Sequence, residues 1–220
     1  MKKILAFDPS WDTCGAAIYN LDEKFLTLYS GNIMKVLSDV NQWNRREDIM
    51  AVVLEDPNLD SSVFGAWEAI RKAIASRQPM AQIKSIANTW LKHAQRVGES
   101  KASAKYIDSW CHARGFPVIR IAPSWRDKAT NKRKAQFPIN QLIMPTKTNQ
   151  DQFKELTGWA GKSNEHTRDA ATMIHGRTAG WVETMLSFNS QMYGQGKGKN
   201  MKKDVRDMYL GRLGNRITNP

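Results

Sequence analysis

The alternation of apolar and polar positions starts with a short apolar run, Ile4 to Phe7, that ends on an acid, Asp8. Residues 3–8 read as a strand, 15–21 as its hairpin partner and 24–30 as a third strand, because short β-type runs alternate with turn residues. The period then lengthens. Lys35 to Trp43 carries Val36, Val40 and Trp43 at helical spacing, whereas Ile49 to Leu54 (IMAVVL) is continuously apolar, as in a strand covered on both faces. Asp60 to Ser62 supply capping side chains for a helix with Val63, Trp67, Ile70 and Ile74 on one stripe, ending near Pro79. From Ile83 to Arg114 the positions Ile86, Trp90, Ala94, Val97, Ala104, Ile107 and Cys111 keep a helical period, interrupted around Gly98. One long or broken helix is expected there, stopped by Gly115 and Pro117. Pro117 to Ile121 is a short strand. A helix follows from about Asn149 to Trp159 with Phe153 and Leu156 inward, and Asn164 caps a last helix, EHTRDAATMIHGRTAGW.

These elements predict an α/β fold: a mixed five-stranded sheet, an antiparallel meander joined to parallel strands, flanked by helices. Residues 1–185 are expected to form the folded domain. Residues 186–220 are expected to be a basic Gly/Lys-rich tail, since the stretch from Asn189 to Lys203 is too rich in Gly, Gln, Asn and Lys to bury a core of its own. There is no internal repeat.

Charge sharpens the picture. The 220 residues include 33 Lys plus Arg against 21 Asp plus Glu, a formal net charge of +12, which makes a polyanion the expected partner. Nucleic acid is favoured over a membrane, because neither a long apolar stretch nor a basic amphipathic helix accompanies the charge. The positive charge is concentrated between residues 120 and 136, where Arg120, Arg126, Lys128, Lys132, Arg133 and Lys134 face Asp127 alone. Trp125 sits in the same loop and is the tryptophan most suited to DNA contact. Trp67, Trp90 and Trp110 lie on apolar stripes and read as core. The apolar part of MKKILAF stops too early for a signal peptide, so a cytoplasmic protein is expected. Cys14 and Cys111 lack metal spacing and read as buried thiols.

The chemistry lies in the acids. If the first and fourth strands are neighbours, Asp8 comes beside Glu55, at the carboxyl ends where α/β sheets place ligands. In the last helix His166 and Asp169 share one face, and the small Ala170 and Ala171 allow close approach to the sheet. Glu55 is preferred to Asp56 because strand register continues directly from Leu54. Three carboxylates and an imidazole gathered together repel unless a cation sits among them. A pair of divalent ions about 3.5–4 Å apart could hold a phosphodiester and activate water, with Asp8 bridging. His93, His112 and His175 read as packing or surface residues.

The stretch IxxFDPSWxxxGxAIY, the strand VVLE and the late HxxDAA of EHTRDAATM resemble the acidic motifs of the RuvC family of Holliday junction resolvases, within the RNase H-like superfamily. The resemblance spans about residues 3–178. It implies an RNase H-like fold and an endonuclease that resolves four-way DNA junctions as a homodimer, with residues 83–114 as an interface. It also implies Mg²⁺, with Mn²⁺ as a substitute, bound by Asp8, Glu55, His166 and Asp169, and Lys128 and Lys147 as phosphate-contacting lysines. The family's aromatic wedge just after its Glu is replaced here by Asp56, Pro57 and Asn58, the nearest aromatics being Phe64 and Trp67. A broader nuclease for forks and flaps and a non-catalytic junction binder are the alternatives. The sugar kinase and actin type of ATPase is disfavoured, because its Gly-rich phosphate loop is missing and 220 residues are too few for two lobes.

Overall fold

The computed structural model describes residues 1–43, 45–59, 65–122, 126–127, 132–133 and 148–193, apart from the side chains of 43, 65–67, 126–127, 132–133 and 191–193. The strands β1 (Lys3–Asp8), β2 (Cys14–Asn20), β3 (Phe25–Gly31), β4 (Ile49–Glu55) and β5 (Val118–Ile121) form one sheet in the order β3-β2-β1-β4-β5. β1, β2 and β3 pair antiparallel, while β4 lies parallel to both β1 and β5. This is the mixed five-stranded sheet expected. A separate two-stranded ribbon joins β6 (Arg126–Asp127) to β7 (Lys132–Arg133).

Strand parity divides the core into two layers. Ile4 and Ala6, Ala17 and Tyr19, Ala51 and Val53, and Ile119 and Ile121 pack with α4 (Gln150–Thr157), α5 (Glu165–Ile174) and α6 (Ala179–Tyr193). Leu5 and Phe7, Ala16 and Ile18, and Val52 and Leu54 pack on the other face with α1 (Ile33–Trp43) and the far end of α3 (Met80–Ala113). Asp8, Gly15 and Glu55 each extend the first alternation by two residues. All three therefore stand on the side of α5.

Several expectations need correction. The helix expected over 83–114 is one unbroken helix of 34 residues, α3, preceded by α2 (Gly65–Ala75). At about 1.5 Å per residue it spans roughly 50 Å, twice the reach of a seven-residue strand. It therefore outruns the sheet, and only Ser103, Ala104, Ile107 and Cys111 of α3 are buried. Ile86, Trp90 and Val97 are half-buried and Ala94 is exposed. Trp90 is not core; its ring meets His93 edge-on at 5.5 Å. Trp110, by contrast, packs against Phe7 and Phe116 with the Arg114 guanidinium over its face.

Ile74 and Leu156 are exposed, because α2 and α4 bury narrower stripes than their sequences offer; Ala73 and Phe153 carry the contact. The last helix is two helices. Gly176 turns the chain at φ 69° after α5, and α6 begins at Ala179. α6 runs on to Tyr193 and buries Phe188 and Asn189.

Both cysteines are buried, which pushes each thiol up to about 12. Neither is expected to react with a disulfide reagent at pH 8 while the chain is native. Titration in guanidinium should release both, and rapid native modification of either thiol would contradict this packing.

Candidate active site

β1 and β4 run side by side with Phe7 opposite Leu54, so their next residues, Asp8 and Glu55, end the strands as neighbours on the α5 face. α5 brings the other two groups. Its start is set by a capping box: the Asn164 side chain accepts from the Thr167 amide at 2.8 Å, and Thr167 Oγ1 accepts from the Asn164 amide at 3.0 Å. Arg168 ties the same turn to the chain entering α4, donating to the Thr148 carbonyl at 2.7 Å and the Ser163 carbonyl at 3.1 Å.

Helix and sheet meet at Gly15, opposite Asp8 in the β1–β2 pair. A Cβ at this position would lie 2.5 Å from the Thr167 nitrogen and closer still to the carbonyl of His166. Only glycine admits the helix backbone so near the strand. Ala170 and Ala171, fully buried, continue the close contact.

Asp8 feels the charges of the other three groups. Its Oδ2 is 2.8 Å from His166 Nδ1. Burial raises the Asp8 carboxyl from 3.8 to about 6; the His166 hydrogen bond opposes this, and the charges of Glu55 and Asp169 add to it. His166 is held above the usual imidazole range, chiefly by its bond to Asp8 and against the opposing effect of its own burial. Glu55 and Asp169 are both buried.

Asp56 is differently engaged. Its Oδ1 accepts from the Asn58 backbone at 2.9 Å and side chain at 2.8 Å, and its Oδ2 is 3.9 Å from Arg120 Nε. It closes a turn on the α3 side. His175 packs its ring 5.3 Å from Tyr19, and burial lowers its pKa.

Lys128, Lys134, Lys147, Trp125 and Phe64 lie outside the described residues. Arg126, Lys132 and Arg133 belong to the β6–β7 ribbon, but their side chains, like that of Trp67, are not described. Arg168 is a part of the site that the sequence reading missed, and Gly15, though inside the quoted opening motif, was given no role there. The signal for its role was a glycine inside an apolar strand.

The donor chemistry of the four groups, three carboxylates and an imidazole, suits a hard divalent cation. Among the described residues, no group of three or more His, Cys, Asp or Glu stands in a ready metal-holding arrangement. The Asp8–His166 hydrogen bond instead sets a proton between two of the four. With Nδ1 turned to Asp8, Nε2 is the ring nitrogen left for a metal.

The fold and these side chains define a class: a basic α/β protein with a buried acidic cluster at the carboxyl ends of two parallel strands. No family model matches the chain, and no curated protein does. Among solved structures it is similar to T. thermophilus RuvC in complex with Holliday junction substrate, at 11% identity and a TM-score of 0.38, over 87% of this chain and 96% of that one. No helix among the described residues is long and apolar enough to cross a membrane.

Proposed function

We propose that this chain is a metal-dependent endonuclease that resolves four-way DNA junctions by paired symmetric nicks. The observation that carries the reading is the convergence of Asp8, Glu55, His166 and Asp169 from three distant parts of the chain, with Asp8 raised to about 6 by burial and by its acidic neighbours. An acid kept in a place that disfavours its charge suits function better than packing.

Mg²⁺, or Mn²⁺ in its place, would be held by these four residues and would supply an activated water and charge to stabilise the departing 3′ oxygen. His166, its Nδ1 hydrogen-bonded to Asp8, would offer Nε2 to the cation, and the Asp8 carboxyl would have to be ionised to take part. Lys128 and Lys147 would contact the scissile phosphates. Arg126, Lys132, Arg133 and Lys134 would track the backbone with Trp125 among them, consistent with the net charge of +12. A four-way junction offers two equivalent strands, so the active species is a two-fold homodimer, with α3 as its interface.

The test is a labelled four-way junction incubated with Mg²⁺, with a replicate fork and linear duplex beside it. Wild type is expected to leave symmetric nicks in the junction, and Asp169→Asn to bind without nicking. Equal cutting of the fork would broaden the activity to branched DNA. Binding with no cutting in either Mg²⁺ or Mn²⁺ would leave a junction-binding protein and end the nuclease reading.

A further inference from the structure

Arg168 stands in α5 between His166 and Asp169, yet its side chain is spent on the main chain of two helix entrances. Nε donates to the Thr148 carbonyl at 2.7 Å, and Nη1 to the Ser163 carbonyl at 3.1 Å and to its Oγ at 3.4 Å. Thr148 precedes Asn149, the cap of α4, and Ser163 precedes Asn164, the cap of α5. The first is a fixed anchor, for Thr148 is buried. The second is not. No residue from Gly158 to Glu165 is buried, and burial on α5 starts only at Thr167.

The first turn of α5 therefore depends on hydrogen bonds more than on packing. Gly15 sets how near its backbone comes to the sheet, and Arg168 sets how far it can lift. Local opening begins where burial is low and exposed bonds hold the backbone. His166 rides on this turn with its side chain 35% exposed, and its ring reaches Asp8 by a single bond. Asp169, 2% exposed, is carried by the packed part of the helix. Release of the Ser163 and Thr148 carbonyls should therefore free His166 and leave Asp169 in place.

We propose that Arg168 is a positioning residue, a clamp on the first turn of α5 that keeps the His166 ring on Asp8 and its Nε2 turned to an incoming cation. The inference deepens the nuclease reading and rests on it for the cation alone. Partners of this kind orient a ligand without touching what it binds.

The experiment records the ring ¹⁵N–¹H spectra of the histidines in the metal-free full chain and, by calorimetry, its Mn²⁺ affinity, for wild type, Arg168→Lys and Arg168→Ala. The Mn²⁺ series is repeated in a His166→Ala background. Arg168→Ala should move the His166 signals toward those of a free imidazole and leave those of His175, at the other end of α5, unchanged. Mn²⁺ affinity should fall about tenfold in the otherwise native chain and less than twofold in the His166→Ala background. Arg168→Lys should fall between wild type and Arg168→Ala, since one ammonium replaces a fork that reaches two carbonyls. Unchanged His166 signals in Arg168→Ala overturn the clamp. So does a His175 shift of equal size, which would mean general loosening of α5, or the same loss of Mn²⁺ affinity with and without His166. Where Arg168→Ala does not fold, Arg168→Lys is read in its place, and wild-type His166 signals there overturn the role. A wild type that binds no Mn²⁺, with His166 following Arg168 as expected, would sink the metal reading and leave the clamp standing.

Discussion

Asp8→Asn is expected to melt at a higher temperature than the parent at pH 7 and to lose nicking activity by roughly a thousandfold or more. The stability half follows from the direction of the Asp8 shift, from 3.8 to about 6. Across the interval between those values the folded chain keeps a proton that the unfolded chain has released. Stability from this group is therefore complete below pH 4 and is lost as pH rises through 6. Asparagine never ionises, so it avoids that loss. The two proteins should have similar stability near pH 4 and diverge by pH 7, where the variant gains roughly 1–3 kcal/mol, a rise of several degrees. The value of about 6 already includes the opposing pull of His166, so losing that partner does not reverse the sign. In the parent, Mg²⁺ should raise the melting temperature at pH 8; in the variant it should not. Thermal melts across pH 4–8 with and without Mg²⁺ provide the check, and a variant less stable than the parent at pH 7 would contradict the crowding of acids around Asp8.

Gly15→Ala is expected to cost both fold and activity. The added methyl would run into the backbone at His166 and Thr167, which cannot rotate away as a side chain could. α5 must move off the sheet, at a cost of about 1–3 kcal/mol for overpacking, and it takes His166 and Asp169 with it. Gly98→Ala is the matched control. Gly98 lies in α3 with nothing within 4 Å of a built Cβ, so alanine there should stabilise by about 0.5–1 kcal/mol. Melting temperatures and nicking rates of the pair decide the matter. A Gly15→Ala protein that melts and cuts like wild type would mean that α5 does not need its close seat on β2.

Much of this architecture is legible in local pattern. The meander, the apolar run of β4, the start of α4 near Asn149 and the cap Asn164 emerge within two or three residues of their expected places, since each depends on side chains close together in the chain. The break between α5 and α6 was hidden, because the residues around Gly176 keep a helical apolar period across it. The exposure of Trp90 and Ala94 was hidden as well. Periodicity shows which face of a helix is apolar but not whether any partner extends far enough to cover it.

The sequence by itself determined the alternation of faces along β1, β2 and β4, and with it the choice of Glu55 over Asp56 as the acid sharing a face with Asp8. It also set the helical spacing that puts His166 one turn from Asp169. Only the tertiary structure decided that α5 would rest against Gly15 and that His166 would hydrogen-bond to Asp8. The difference is one of range: side-chain direction follows from backbone period over a few residues, whereas the approach of two elements depends on how every packed layer between them closes.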